Sequence, residues 1–503
     1  MSNIIFGSPS FVVPPAGQID AQATVMFRPN PRWKGEFMFD WMRTGSGTNL
    51  GQTSLDGDVD YQTILGYYDN NQAANTFVED STDTNNDGVK DLYGRLKGEY
   101  RIFTSLNRLD PAGHNIDYFE PKLCIYKHEN ETTKAVAILQ LQIEVTVAPE
   151  ELILEFENEF FEITLYTGTP PATPTLISTP AAPTTPPVQP QERMKQLQIT
   201  KTLTTGTFNT LEIQVECKKT FATGYKEITA YTVMSNPDPA SSQKVRKLAG
   251  TLKVLPNDKT KRKVKNIVLV NVKTDVNVDG TAEEGFKAGT ITIDKQKAMI
   301  RKTLRQALID PIFIIEELDI STIRAGRDDL NHRYVDAGKL KCYYDHRATT
   351  IPTGWKSLSD YLFEKLVLAK GNRYNNYMRV FYVAQGCFTI DKNNLAFPSV
   401  GILTGYTDGA NPKNIVMTKD AELPTLSHEV LHSLKLPHTW ESKNHMEEGT
   451  SSNTVPQAKH SLKYMSTNNI MDYGTNKYFL YYWQCIVANN NASAEPPNYT
   501  PAP

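Results

Sequence analysis

The run His428-Glu429-Val430-Leu431-His432-Ser433-Leu434-Lys435-Leu436-Pro437-His438 constrains this chain more than any other segment. Histidines four apart fall on one face of a helix, one turn above the other, and can share a cation. Val430, Leu431 and Leu434 give that helix an apolar side, and Thr425 or Ser427 stands where an N-cap is needed. Pro437 biases Leu436 away from helical geometry, so the chain is expected to turn there and bring His438 back toward the pair. Glu429 lies beside the histidine face without being forced onto the cation. Three imidazoles suit zinc, which keeps a fourth position for water and lowers the pKa of that water toward neutrality. His445, Glu447, Glu448 and His460 are the alternatives to His438 as third ligand.

Further on, the chain reads Asn469-Ile470-Met471-Asp472-Tyr473-Gly474, and His438 is followed by Thr439-Trp440. Together these segments resemble the metzincin zinc endopeptidases, whose signature H-E-x-x-H-x-x-G-x-x-H precedes a Met-turn. The His-Thr-aromatic continuation is similar to the pappalysin-like branch. The resemblance implies a zinc ion on His428, His432 and His438, with Glu429 as general base toward the attacking water and Met471 flooring the site. It implies a substrate-pairing edge strand from Ser399, Val400 and Gly401 to Leu403. Tyr473 resembles the tyrosine that acts as a fifth ligand or oxyanion donor, with a merely packed tyrosine as the alternative. One position departs from the signature: its glycine is Lys435 here, and a non-glycine residue in a left-handed turn costs roughly 1 kcal/mol.

At 503 residues the chain exceeds a single ordinary core. The expected architecture is multidomain, with two β-rich, sandwich-like N-terminal domains and a C-terminal α+β zincin domain. Residues 1–167 carry the alternating run Leu139 to Val147, a second strand-like run Leu152 to Tyr166, and an aromatic cluster of Trp33, Phe37, Phe39 and Trp41 read as core. Residues 168–192 are rich in Pro and Thr and read as an extended linker. Residues 193–274 show short strands, Leu211 to Cys217, Leu248 to Leu255 and Val264 to Val272, as in a small sandwich. Residues 275–488 mix helical spacing (Asp294 to Leu308, Leu358 to Leu368) with strands (Tyr377 to Ala384, Val400 to Leu403, Asn414 to Met417). The tail 489–503 reads as disordered.

A formal net charge of -3 attracts no nucleic-acid backbone, and no apolar stretch is long enough to span a membrane. Residues 1–22 lack the features of a classical secretory signal. Five scattered cysteines argue against a disulfide framework and for buried thiols. Asp83, Asn85, Asp87 and Asp91 are spaced like the start of a calcium loop, though the twelfth position is Gly94 rather than Glu, so a structural calcium site and a polar turn both remain open. The expected function is a zinc endopeptidase acting on protein or peptide substrates, made in the cytoplasm and delivered as an effector or toxin by a specialised secretion machine, with a cognate inhibitor as partner. The alternative is a non-enzymatic component of an injection apparatus with an inactive zincin domain.

Overall fold

The computed structural model describes residues 22–44, 60–69, 76–84, 89–106, 108–109, 115–127, 134–166, 194–199, 201–206, 208–235, 244–322, 330–336, 338–342, 356–389, 402–407, 413–440, 458–474 and 476–494. The chain is β-rich and falls into two units, each with its own sheets.

Long alternating strands build the first unit, which comprises Met1–Trp33, Phe39–Asp58 and Gly98–Pro256. They are β1 (Gln22–Pro29), β2 (Ala135–Val147), β3 (Glu151–Glu157), β4 (Phe161–Leu165), β5 (Met194–Ile199), β6 (Phe208–Cys217), β7 (Lys226–Ser235) and β8 (Lys244–Val254). One sheet runs β1-β2-β6-β4, and another contains β5-β3-β7-β8. In β2 every second residue, Leu139, Leu141, Ile143 and Val145, is buried, and β6 matches it with Ile213, Val215 and Cys217. This is the alternation of a strand with one covered face.

The strands do not respect the boundary expected at residues 168–192. β6 pairs antiparallel with β2 from Phe208↔Glu144 to Cys217↔Ala135, and β5 pairs with β3. Strands on both sides of the Pro/Thr-rich stretch therefore share sheets in one unit, where two separate β domains were expected. Composition marks an extended segment, but strand pairing is decided by complementary faces that may be any distance apart in sequence. Residues 167–193 themselves lie outside the described residues.

The second unit comprises Lys34–Met38, Val59–Lys97 and Asn257–Pro503. Its elements include β9 (Lys263–Thr274), α1 (Ile293–Gln306), β10 (Ile309–Asp319), α2 (Leu358–Lys370), β11 (Met378–Tyr382), β12 (Gly405–Thr407), β13 (Asn414–Met417), α3 (Thr425–Ser433) and α4 (Tyr482–Asn490). β9 pairs in parallel with β10 on one side and β11 on the other, β11 pairs in parallel with β13, and β12 closes that end antiparallel to β13. The helices begin where their caps dictate: Thr292 accepts from Lys295 N at 3.4 Å and Ser357 from Asp360 N at 3.1 Å.

Three further expectations are corrected here. The segment 263–274, assigned to a small sandwich, is a central strand of this sheet. Ile267 to Val270 is apolar without alternation and fully buried, as suits a parallel strand covered on both faces. Residues 59–97, assigned to the N-terminal domain, join the second unit, where Gly66 N donates to Ser461 O and Lys463 N to Ile64 O. The tail does not become irregular at 489, because α4 runs to Asn490, Asn489 Nδ2 donates to Ala307 O at 2.8 Å, and Ser493–Ala494 pairs with β9. Cys124, Cys217 and Cys485 are the buried thiols expected, whereas Cys387 is disulfide-bonded.

Gly250, on β8, lies against the backbone of Val25, so that a Cβ there would collide with the Val25 carbonyl. Backbone on both sides cannot give way. Gly250→Ala should destabilise the first unit by about 1–3 kcal/mol, read as a lower urea midpoint.

Candidate metal centre

α3 is placed by its apolar residues: Leu426, Val430 and Leu431 are fully buried. The helix starts behind Pro424 with no side-chain cap; Thr425 Oγ1 instead accepts from Glu422 N, and Ser427 is buried, so neither expected residue caps it. It ends in a left-handed turn. Lys435 has φ 69°, its N–H donates to His432 O at 2.9 Å, and Leu436 N–H donates to Leu431 O at 3.1 Å. That pair of bonds is a Schellman ending, for which glycine is the usual residue. Lys435 thus adopts the conformation the signature glycine would adopt, and His438 follows three residues later.

The three histidines converge. Their Nε2 atoms are 3.0 Å apart for His428–His432, 3.0 Å for His432–His438 and 3.2 Å for His428–His438. His428 Nδ1 lies 2.8 Å from Ile470 O and His432 Nδ1 lies 2.9 Å from Leu436 O. A carbonyl can only accept, so both Nδ1 atoms carry the proton and both Nε2 atoms present lone pairs to one another. Burial, and next the neighbouring His432 and His438, hold the His428 pKa well below the usual imidazole range, which favours the neutral form. Lone pairs facing at this range repel unless a cation lies between them. The group can hold a metal ion, and among the described residues no other such group of histidine, cysteine and acidic side chains occurs.

Glu429 is buried beside the triad, and the Thr407 hydroxyl on β12 lies 2.7 Å from its Oε2. Burial pushes the Glu429 carboxyl above the usual range, and the hydrogen bond from Thr407 opposes the shift. Tyr473 stays 44% exposed, its hydroxyl 3.1 Å from His438 Nε2 and its ring stacked on His428 at 5.4 Å. Met471 is fully buried; its N–H donates to Asn469 Oδ1 and its carbonyl accepts from Thr439 N.

Three supporting residues were given no role at the site from sequence. Trp440 stacks flat on His438, centroids 4.4 Å apart at 13°. Asp472 is fully buried and accepts from Met465 N, Thr467 N, Thr467 Oγ1 and Tyr473 N at 2.7–2.9 Å. Thr407 orients Glu429 from a separate strand. For Trp440 and Asp472 the available signal was adjacency to His438 and Met471; for Thr407 there was none.

Of the other candidate residues, Asn85, Asp87, Ser399, Val400, Gly401, His445, Glu447 and Glu448 lie outside the described residues. His460 is described but does not belong to the histidine group. Asp91 opens a short helix, and its carboxylate accepts from Thr84 N and Thr84 Oγ1; Asp83 is described without joining a metal-holding group. Of the edge strand expected at 399–403, the described part Ile402–Leu403 is the end strand of a separate small sheet, paired with Cys387–Thr389, and the sheet end beside α3 is β12, a few residues later. No helix among the described residues is long and apolar enough to cross a membrane.

No family profile and no curated protein matches the chain. Among solved structures it is similar to that of a membrane-anchored protein from Corynebacterium diphtheriae, with 11% identity and a TM-score of 0.13 over 30% of this chain. The match spans 43% of that chain, and at this score it carries no argument about fold or function.

Two outcomes follow. The purified chain should bind one divalent transition metal, measured by elemental analysis after dialysis; His438→Ala should weaken binding by more than about a hundredfold and Trp440→Ala by about tenfold, with circular dichroism unchanged. Lys435→Gly should raise the urea midpoint by up to about 1 kcal/mol of stability without altering metal content, while the β-branched Lys435→Val should lower it.

Proposed function

We propose that this protein is a zinc endopeptidase of metzincin type whose second unit carries the reaction. The observation that carries the reading is the convergence of three imidazole nitrogens from one helix and the turn that ends it, with a buried carboxylate alongside. The donor set fits zinc: at about 2.0–2.1 Å from each nitrogen in a tetrahedral array, the ligands would stand roughly 3.3 Å apart, close to the 3.0–3.2 Å found here. Zinc bound there supplies a Lewis acid that polarises the scissile carbonyl and acidifies the attacking water.

The chain's own residues do the rest. Glu429 takes a proton from the water and returns it to the leaving amine. Thr407 occupies Oε2 of Glu429, leaving the second oxygen for that proton, and the raised pKa of a buried carboxyl matches a group that both accepts and donates. Tyr473 keeps an exposed face and a hydroxyl directed at the His438 nitrogen, where it can donate to charge developing on the carbonyl oxygen. β12, the antiparallel strand at the sheet end beside α3, is the strand we assign to pairing with the substrate backbone. Lys435, the sequence feature behind the alternative of an inactive domain, takes the left-handed turn in which the signature has glycine. Delivery by a secretion machine and a cognate inhibitor rest on sequence architecture alone.

The decisive assay is hydrolysis of a generic protein substrate. Glu429→Ala should lower the rate by about 10²–10⁴-fold with metal content retained, and a chelator should abolish activity until zinc is restored. Equal turnover by the wild type and Glu429→Ala would refute the reading.

A further inference from the structure

Lys477 is a cation beside the metal centre that the chemistry above does not use. Its ammonium stands 5.6 Å from the centre of the Tyr473 ring, the same ring that stacks on His428 and carries the hydroxyl at His438. It interacts electrostatically with Glu429, Glu422 and Asp472, and with His428. Its backbone is pinned: Asn476 before it is in the left-handed region at φ 57°, and Tyr478 after it donates to Asn468 O at 3.0 Å and accepts from Gln306 Nε2 at 2.9 Å. The side chain is half-buried, and burial is the first cause lowering its pKa.

The carboxylates whose charge reaches this ammonium, Glu422, Asp472 and Glu429, form no ion pair with it. Asp472 is saturated by four donors from its own turn, and Glu429 is held by Thr407. Among the described residues Lys477 forms no ion pair within 4.0 Å and no hydrogen bond through its side chain. A half-buried cation whose side-chain contact among the described residues is the Tyr473 ring is only partly compensated for the water it loses, and an incoming anion would offset that cost. The other groups facing it are the exposed Glu422, the Tyr473 ring and His428.

We infer that Lys477 is a specificity-determining residue that receives a substrate carboxylate close to the scissile bond. The inference rests on the endopeptidase reading for the words substrate and scissile bond, but not for the binding site itself. Two sources share the chemistry: an acidic side chain flanking the bond, or the C-terminal carboxylate of a short peptide. Lys477 acts on the substrate here and takes no part in proton transfer.

The test is a binding measurement on the zinc-loaded full chain bearing Glu429→Ala, so that hydrolysis plays no part. Peptide ligands with a hydroxamate at the N-terminal end would carry next to it Gln with an amidated terminus, Glu with an amidated terminus, or Gln with a free C-terminal carboxylate. With Lys477 present, one carboxylate-bearing ligand should bind about tenfold more tightly than the neutral one, and which of the two does so identifies the source. Lys477→Met should abolish the difference while leaving the affinity of the neutral ligand unchanged, and Lys477→Glu should invert it toward a ligand bearing Lys. Equal affinity of all three ligands for the protein with Lys477 would overturn the inference, as would a loss on Lys477→Met that is the same for neutral and acidic ligands. Absence of peptide hydrolysis in the wild type would bear on the endopeptidase reading, whereas these affinities report on Lys477 alone.

Discussion

Three imidazole nitrogens brought within 3.2 Å of one another are the constraint on which the rest of the second unit depends. Two of the rings have their protons committed to backbone carbonyls, so their lone pairs point inward and repel. Such an arrangement persists only if the surrounding structure over-determines it or a cation compensates it. Both conditions leave marks. Leu436 is used twice, its N–H closing the helix end on Leu431 and its carbonyl fixing the His432 ring. The turn that redirects the chain and the contact that orients a ligand are therefore one structure.

A second scaffold meets the first from residues 465–484. Asn469 and Gln484 exchange hydrogen bonds through their side-chain amides, and Gln484 Oε1 also accepts from Tyr481 N. Gln306 at the end of α1 bonds both Tyr478 O and Leu480 N. A buried polar network satisfied in this way holds one geometry and discriminates against others. It places Ile470 O against His428, Met471 O against Thr439, and Tyr473 against the rings of His428 and His438. Tyr473 is open while Met471 and Asp472 beside it are fully buried.

The first unit follows a different logic. Its alternating strands bury one face and carry charge on the other, with pairs such as Lys226–Glu157 at 2.8 Å and Arg246–Glu155 at 3.2 Å. Ion pairs at the solvent-facing side of a sheet add little stability each, so the inward aliphatic rows of β2 and β6 carry the fold. Nothing in that unit gathers ligand-type side chains as the second unit does, among the described residues.

What the sequence determined by itself is local. The spacing of His428, Glu429 and His432 sets them on one helical turn, Pro437 prevents the helix from continuing through His438, and the periodicities of β2, α1, α2 and β13 specify elements close to those observed. Tertiary structure decided the rest: that β6 lies against β2, that β9 enters the sheet of the second unit, that Lys435 takes a left-handed turn, and that Thr407, Trp440 and Asp472 support the site. The division has a physical cause. Helix periodicity and proline geometry act over a few residues and are written in the order of the chain, whereas strand partners and the supports of a ligand are chosen by contacts between segments that sequence order does not bring together.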